Sequence, residues 1–228
     1  MVEPVIAIEN LNHYYGKGNL KKQVLFDINL SINAGEIVIM TGPSGSGKTT
    51  LLSLIGCLRS VQEGNLTLLD RQLNGAKESK LVQMRRQIGY IFQAHNLLGF
   101  LSAKQNVQMS IELNDRISKQ QAETKSTEML QAVGLGERVN YYPDSLSGGQ
   151  KQRLCIARAL IAKPQLIFAD EPTGNLDQVT AAKVFDLMLE LNKKMHTALV
   201  IVTHDLEIAK RMNRIFVLHE GALAVKEV

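Results

Sequence analysis

A glycine-rich stretch between an apolar strand and a helix constrains this chain more than any other feature. Residues Gly42–Thr49 read Gly-Pro-Ser-Gly-Ser-Gly-Lys-Thr and follow the apolar run Glu36–Met40. Glycines let the backbone wrap closely around an anion with its N–H groups pointing inward, and the start of the following helix adds a partial positive charge. This order of elements predicts an α/β fold with a phosphate site at the end of the strand.

The residue types of this loop suit a nucleoside triphosphate. Lys48 can reach the β- and γ-phosphates, and the Thr49 hydroxyl can ligate Mg²⁺. The predicted nucleotide-binding residues of the loop and of the helix start are Gly42, Ser44, Gly45, Ser46, Gly47, Lys48, Thr49 and Thr50.

A second apolar strand ends in two adjacent carboxylates. Residues 166–169 are apolar, and Asp170 and Glu171 follow them. In a parallel sheet such a strand delivers its acids to the edge where the phosphate loop opens. We therefore predict that Asp170 anchors Mg²⁺ through water and that Glu171 polarises the water that attacks the γ-phosphate.

Short apolar runs alternate with helical patterns along most of the chain. The predicted strands are Val5–Ile8, Gly35–Thr41, Ile88–Gln93, Gln165–Asp170, Ala198–Thr203 and Ile215–Leu218. The predicted helices are Lys48–Leu58, Lys80–Arg86, Gln150–Ala162, Thr180–Lys193 and Leu206–Met212. Strands that are nearly continuous in Val, Ile and Leu are typical of a parallel sheet buried on both faces.

Two regions depart from this alternation. In 10–33 and 64–73, turn residues separate alternating polar and apolar positions, which predicts a small antiparallel sheet. Residues 94–146 are polar and helix-rich, which predicts an inserted helical lobe. We expect one domain over 1–228, with the α/β core and antiparallel lobe in 1–93 and 158–228 and the helical subdomain in 94–157.

The bulk composition fits a single globular domain. The chain has 228 residues, of which 45% are hydrophobic and 21% charged, so it can bury a substantial core. Its net charge of +4 comes from interspersed charges without a long basic run, so we expect no nucleic-acid partner. No run approaches the roughly 18 apolar residues of a membrane span, and no export signal precedes the first strand.

The two cysteines indicate a reducing compartment. Cys57 and Cys155 lie in separate apolar stretches without metal-ligand spacing. We therefore expect buried free thiols rather than a disulfide, and a cytoplasmic location.

The most discriminating motif is Leu146–Gln150, which reads Leu-Ser-Gly-Gly-Gln before a helix. Ser147 is a good helix N-cap, and the helix directs its dipole at an anion. Gly148 and Gly149 let the backbone approach a ligand, and Gln150 completes the motif. The chain thus carries a second predicted phosphate site, although a single nucleotide seldom needs two from one domain.

Together these motifs resemble those of the ABC (ATP-binding cassette) ATPase family. In that family two subunits pack head to tail, and the signature motif of one closes on ATP held by the phosphate loop of the other. The resemblance implies a P-loop NTPase core of the RecA type with an antiparallel β subdomain and an inserted helical subdomain. It also implies ATP hydrolysis with Mg²⁺ by a homodimer with two shared sites.

Single residues match further family motifs. Gln93 is similar to the glutamine that touches Mg²⁺ or the attacking water, and His204 is similar to the switch histidine that contacts the γ-phosphate. Asp177 resembles the acid of the loop that crosses the dimer interface near the partner's phosphates. Tyr15 matches the aromatic residue that stacks on adenine, with Tyr14 as the alternative. The other histidines are interpreted as having no role in the site: His13, His95, His196 and His219.

Three stretches resemble the ATPases of lipoprotein-release and macrolide-export systems: Gln93–Leu98, Thr173–Asp177 and Thr203–Asp205. The segment from Asn96 to Val107 resembles the cyanobacterial glycolipid-exporter branch. The resemblance implies inner-membrane permease subunits as partners, with a periplasmic adaptor as a further candidate, and a place on the cytoplasmic face of that membrane. A groove for the permease's cytoplasmic helix is expected at Leu97, Leu98, Phe100 and Leu101, for which ordinary packing within the helical lobe is the alternative.

Two other roles stay open at this stage. The ATPase of an importer would carry the same motifs, although the chain shows no C-terminal regulatory extension of the sugar-importer type. A soluble assembly ATPase is the second alternative. No residue identifies the cargo, and the direction of transport rests on analogy.

Overall fold

A computed structural model describes residues 4–112 and 117–227. These residues form two compact units. The first comprises the chain up to Ile88, Gln165–Phe168 and the chain from His196 onwards, and the second comprises Gly89–Pro164 and Ala169–Met195. The subdomain boundaries expected at 93/94 and 157/158 stay a prediction.

The described chain contains ten strands and seven α-helices. The strands are β1 (Pro4–Tyr15), β2 (Lys22–Asn33), β3 (Ile37–Thr41), β4 (Glu63–Leu68), β5 (Arg71–Gln72), β6 (Ile88–Phe92), β7 (Leu166–Asp170), β8 (Ala198–Val202), β9 (Arg214–His219) and β10 (Ala222–Glu227). The helices are α1 (Lys48–Ile55), α2 (Glu78–Arg85), α3 (Ala103–Glu112), α4 (Lys119–Ala132), α5 (Gly148–Leu160), α6 (Gln178–Met195) and α7 (Leu206–Ala209).

The first unit contains the predicted small antiparallel sheet, in the order β2-β1-β4-β5. The alternating patterns in 10–33 and 64–73 are confirmed as strands of this sheet. One expectation is corrected: Val5–Ile8 does not join the parallel sheet. It belongs to β1, where Ala7 pairs antiparallel with Ser31 on one side and Thr67 on the other. Its near-continuous apolar run resembles that of a parallel strand because the run carries no information on its pairing partner.

A second sheet has the order β10-β9-β3-β8-β7-β6, in which β6 and β7 begin in the first unit and end in the second. β3 pairs in parallel with both β8 and β9, with Ile39 opposite Ile201 and Ile215. Every residue of β8 is buried, as the continuous Val, Ile and Leu run predicts. β3 therefore lies in the interior of this sheet, and its carboxyl end leads directly into the phosphate loop.

The sequence did not predict β10, which pairs antiparallel with β9. β10 is an edge strand, and its side chains from Lys226 back to Ala222 are exposed or only half-buried. An edge strand of this kind has no burial alternation for a sequence pattern to detect.

The second unit is mainly helical, as the composition of 94–146 predicts. In α6 the buried side chains recur at helical spacing, from Ala181 through Val184, Phe185 and Met188 to Leu191. α5 begins at Gly148, two residues before the predicted start, because Ser147 is the N-cap. Among the residues that the structure describes, no helix combines the length and apolar character needed to cross a membrane.

Both cysteines are free and buried, as predicted. Burial raises the pKa of the Cys57 thiol and of the Cys155 thiol to about 11 in each case. Both side chains are therefore protonated at neutral pH and act as small apolar core residues.

Candidate functional site

The predicted site residues are divided between the two units. The first unit carries the phosphate loop 42–49, Thr50, Tyr15 and His204. The second carries Gln93, Ser147–Gln150, Asp170, Glu171 and Asp177.

The phosphate loop has a backbone that only glycine accommodates at two places. Gly42 and Gly47 have φ angles of +147° and +104°. A Cβ on Gly42 would lie 2.0 Å from the carbonyl oxygen of Leu218, and one on Gly47 would lie 2.9 Å from Leu25 Cδ2. Both conformation and space therefore require glycine, which leaves the loop's N–H groups uncovered by side chains at these positions.

The turn between β9 and β10 supports the base of this loop. The Gly221 N–H donates a hydrogen bond of 3.1 Å to the carbonyl oxygen of Ser46. The Ser46 side chain is buried, and its hydroxyl oxygen has no hydrogen-bond partner among the described residues. Ser46 thus contributes to the shape of the loop through its backbone and its small size.

Lys48 and the start of α1 supply the positive charge of the loop. The Lys48 Nζ donates hydrogen bonds to the carbonyl oxygens of Gly42 (2.7 Å) and Pro43 (2.8 Å), so the ammonium group lies over the loop. The first turn of α1 contains no acidic residue, and Thr49 in that turn is exposed. The start of α1 therefore combines its N-terminal partial positive charge with the Lys48 cation and an exposed Thr49.

Tyr15 lies beside α1. Its hydroxyl is 3.2 Å from Thr50 Oγ1, and the Arg59 guanidinium lies 4.9 Å from its ring centroid. Tyr14 has different partners, because neighbouring side chains on a strand point to opposite faces. Its hydroxyl donates to Glu63, and the Lys21 ammonium covers its ring at 3.8 Å. Of the two tyrosines, the geometry therefore favours Tyr15 as the neighbour of a nucleotide in the loop.

His204 follows β8 at the edge of the sheet where the phosphate loop begins. The preceding residue, Thr203, donates its N–H to the carbonyl oxygen of Met40 in β3 at 3.2 Å. The following residue, Asp205, accepts hydrogen bonds from the N–H groups of Glu207 and Ile208 at the start of α7. His204 is exposed between these two anchored positions.

In the second unit, a turn after β7 brings Glu171 and Gln93 together. Glu171 has a φ angle of +45°, which is unusual for a residue with a Cβ and occurs often at functional sites. The Gly174 N–H donates to the Glu171 carbonyl at 3.2 Å. A Cβ on Gly174 would be 3.1 Å from the Gln93 Nε2, and Asn175 Nδ2 donates to the Gln93 carbonyl at 3.1 Å.

The signature motif Ser147–Gln150 forms a capping box. The Ser147 Oγ accepts a hydrogen bond from the Gln150 N–H, and the Gln150 Oε1 accepts one from the Ser147 N–H. The predicted N-cap is thus confirmed. The two glycines also have a packing role, since a Cβ on Gly149 would lie 2.5 Å from Thr180 Cγ2 and one on Gly148 would lie 3.4 Å from Leu176 Cδ2.

Asp177 forms a local hydrogen bond at the start of α6. Its Oδ1 accepts a hydrogen bond of 3.0 Å from the Thr180 N–H. Hydrogen bonds from Thr180, first from its side chain and then from its backbone, lower the pKa of the Asp177 carboxyl. The carboxylate is therefore ionised at neutral pH, which suits the helix N-terminus. Its contact with a partner's phosphates stays a prediction.

Sequence reasoning missed Arg158. This α5 residue donates hydrogen bonds to the carbonyl oxygens of His95 and Asn96, directly after Gln93. A signal was present, because Arg158 is the one charged residue of the apolar run Leu154–Ile161 and a half-buried charge needs partners.

The described residues contain no group of three or more His, Cys, Asp or Glu side chains that could hold a metal ion by themselves. The Mg²⁺ ligands predicted from the sequence, Thr49, Gln93 and Asp170, stay a prediction. Mg²⁺ in nucleotide sites is bound by only one or two protein oxygen ligands, because substrate phosphates and water complete its coordination.

Comparison with known proteins gives consistent matches. A profile of the ABC transporter family matches residues 25–174. The lipoprotein-releasing system ATP-binding protein LolD of Legionella pneumophila (strain Paris) is 47% identical over 228 residues, which cover all of both chains. LolD of Pseudoalteromonas translucida is 41% identical over the whole of this chain and 98% of its own.

A solved structure of similar fold is the dimeric post-hydrolysis state of the ATP-binding cassette MJ0796 bound to ADP and Pi. It superimposes with a TM-score of 0.87 at 36% identity, covering 97% of this chain and 98% of that one. The predicted P-loop fold of the ABC type is thereby confirmed. With its phosphate loop, signature motif and full-length relatives, the chain belongs to the ABC transporter family, as a transport-coupled ATPase subunit.

Proposed function

We propose that this chain is the ATPase subunit of a transporter that releases lipoproteins from a membrane. The observation that carries the proposal is the 47% identity to a lipoprotein-releasing ATP-binding protein over the full length of both chains. The second relative carries the same name at 41% identity. This agreement favours lipoprotein release over macrolide or glycolipid export and over import.

The proposed working unit is a head-to-tail homodimer with two shared ATP sites. The signature motif supports this, since its capping box leaves the start of α5 without an acidic side chain in the first turn. Such a helix start is suited to a phosphate group from another molecule. The similar cassette MJ0796 is dimeric in its solved structure.

Within this unit, the proposed roles of the residues are those that the resemblance to ABC ATPases implies. Lys48 and the N–H groups of the loop bind the phosphates, and Tyr15 stacks on adenine. Glu171 polarises the attacking water, while His204 contacts the γ-phosphate. Asp177 acts close to the partner's phosphates. These residues orient the reactants and balance charge, which is the main task of an enzyme in phosphoryl transfer.

Thr49, Gln93 and Asp170 would hold Mg²⁺ through oxygen atoms, with Asp170 acting through water. The bound ion would neutralise charge on the β- and γ-phosphates. Asp170 ends β7 half-exposed, and Thr49 is exposed, so both side chains are accessible to a ligand.

We further propose that a permease contacts the segment 97–101. Phe100 in this segment is 76% exposed, which is costly for a large apolar side chain without a partner. Buried Asn106 fixes the segment by accepting from the Leu98 N–H and donating to the carbonyls of Leu98 and Leu101. Leu101 and Met109 both line a groove of about 540 Å³. This partner would place the subunit on the cytoplasmic face of the inner membrane.

The shared-site mechanism is tested with Glu171→Gln. The variant should retain ATP binding, lose turnover and elute as a dimer from a sizing column with saturating Mg-ATP, because closure precedes hydrolysis. The matched control is Glu171→Gln with Ser147→Arg, which places a bulky cation at the signature and should elute as a monomer. A monomer for Glu171→Gln itself under saturating Mg-ATP contradicts the proposal.

The cargo is tested with the permease that co-purifies from membranes. Reconstituted with it in vesicles, the wild-type chain should release an acylated protein in an ATP-dependent manner, and Glu171→Gln should not. Release of the same protein without its acyl chains, or a wholly soluble set of partners, contradicts the lipoprotein assignment.

A further inference from the structure

An arginine of α5 holds the turn that follows Gln93. The two terminal nitrogens of Arg158 donate hydrogen bonds to consecutive carbonyl oxygens, one to Asn96 at 2.5 Å and one to His95 at 2.6 Å. A planar guanidinium can satisfy two acceptors in a fixed direction, which an ammonium group cannot do. Arg158 therefore fixes both the position and the orientation of this turn.

The turn has an unfavourable backbone conformation. His95 and Asn96 have φ angles of +56° and +50°, so two successive residues with side chains are in the left-handed region. Residues other than glycine rarely adopt this conformation, and Asn tolerates it best. Such a turn persists only when surrounding contacts hold it.

Helix α5 contacts both the turn that follows Gln93 and the start of α6, which lies after the Glu171 turn. Cys155, one turn before Arg158, donates its thiol to the His95 carbonyl at 3.2 Å. Near the start of α5, Gly149 packs against Thr180, which lies after the Glu171 turn. The Asn175 amide then joins that turn to the Gln93 carbonyl. A closed series of contacts thus links the signature helix, the turn at 95–96 and Gln93.

We propose that Arg158 is a positioning residue for Gln93, which it orients by holding the His95–Asn96 turn against the signature helix. The inference rests on the role proposed above for Gln93. A displacement of α5 at its signature end would move Arg158 and, through its two hydrogen bonds, the turn.

Substitution of Arg158 should therefore slow the chemical step more than it weakens ATP binding. Arg158→Ala should lower kcat by about ten- to a hundredfold with little change in KM for ATP, because misplacement of a reacting group affects the transition state most. Arg158→Lys can reach one carbonyl and should give an intermediate kcat.

Arg153 provides a matched control on the same helix. It is also half-buried, and its guanidinium donates to the Val133 carbonyl at 3.2 Å, in a different part of the second unit. Arg153→Ala removes the same side chain and a similar hydrogen bond without touching the 95–96 turn. It should keep kcat within about twofold of wild type.

A rescue variant separates positioning from general support of the helix. Glycine adopts the left-handed conformation readily, so Asn96→Gly should reduce the need for Arg158. The double variant Arg158→Ala/Asn96→Gly should regain at least about a third of the decrease in log kcat that Arg158→Ala causes. A purely structural role for the Arg158 charge would not respond to Asn96→Gly.

Amide hydrogen exchange tests the inference independently of hydrolysis. In Arg158→Ala, peptides covering 94–101 should exchange faster, while in Arg153→Ala they should exchange as in wild type. Unchanged exchange in Arg158→Ala, or equal losses of kcat in the two alanine variants, overturns the inference. The proposed function is judged separately, by turnover of the wild-type chain and by the dimer of Glu171→Gln. If Arg158→Ala does not fold, the same comparison is made between Arg158→Lys and Arg153→Lys.

Discussion

The side-chain amide of Asn175 donates a hydrogen bond of 3.1 Å to the backbone carbonyl of Gln93, across 82 positions of sequence. Both residues lie in the second unit, and Asn175 directly follows the Gly174 that packs against the Gln93 side chain. The turn that begins with Glu171, the residue predicted to polarise the attacking water, thus holds Gln93, the residue predicted to touch Mg²⁺ or that water.

Loss of this bond should slow hydrolysis. Asn175→Ala and Asn175→Asp both remove the donor, so each should lower kcat several-fold, leave KM for ATP nearly unchanged and cost about 1 kcal/mol of unfolding free energy. Steady-state kinetics and urea unfolding measure the two effects. Asn213→Ala, at an exposed asparagine of the first unit, is the control. Wild-type kcat in both Asn175 variants would show that the bond does not position Gln93.

The contact between Gly149 and Thr180 predicts a compensating pair of substitutions. Gly149→Ala should destabilise the fold by about 1–3 kcal/mol, because its methyl group would meet Thr180 Cγ2 at 2.5 Å. Thr180→Ser removes that methyl group and keeps the hydroxyl, so the double variant should recover most of the loss. Thermal or urea unfolding measures the cycle. A Cβ on Gly148 would lie 3.4 Å from Leu176 Cδ2, so Gly148→Ala should lower the free energy of unfolding by less. An equal loss of stability at both glycines would contradict the packing argument.

The surroundings of the two tyrosines predict different effects on nucleotide affinity. Tyr15→Ala should raise the Kd for ADP by about tenfold, because stacking of a base on an aromatic ring contributes about 1–3 kcal/mol. Tyr15→Phe keeps the ring and should remain near wild type, as should Tyr14→Ala, whose ring is covered by Lys21. Isothermal titration with ADP avoids hydrolysis. A larger loss for Tyr14→Ala than for Tyr15→Ala would reverse the assignment.

The lowered pKa values of two histidines predict that the free energy of unfolding declines in mild acid. Burial, with a smaller effect of Arg59, lowers the pKa of His13 from 6.5. Burial, followed by the charges of Lys151 and Arg158, lowers the pKa of His95. The unfolded chain therefore binds protons more readily than the folded one, so the free energy of unfolding is unaffected above pH 6.5 and falls as the pH drops below it.

Urea unfolding at pH 7.5 and pH 5.5 measures this decline. His13→Gln and His95→Asn should each reduce the difference between the two pH values, since neither replacement titrates in this range. His219→Gln, at an exposed position of β9, is the matched control and should leave the difference unchanged. An identical pH dependence in all four proteins would contradict the assignment.

Local sequence patterns predicted much of the candidate site. The order of β3, glycine-rich loop and α1 was predictable because each part follows from adjacent residues, and Ser147 was predictable as an N-cap because capping involves residues three apart. Asp170 and Glu171 were predictable because they directly follow a continuous apolar run, which is typical of a buried parallel strand ending at the sheet edge.

Pairings distant in sequence were not predictable in the same way. The apolar pattern of Val5–Ile8 indicates a strand but not its neighbours, so its sheet was assigned wrongly. The bonds from Arg158 to the 95–96 turn depend on how a helix packs more than sixty positions later. The packing role of Gly149 likewise requires the position of Thr180, which only the folded unit supplies.

The support of the phosphate loop by Gly221 has a consequence for biosynthesis. The ribosome makes Ser46 early, but the N–H group that holds its carbonyl belongs to Gly221, far later in the sequence. A nascent chain can therefore form the antiparallel sheet long before its nucleotide cradle has its final shape. Full competence to bind ATP should therefore arise only after Gly221 has been synthesised.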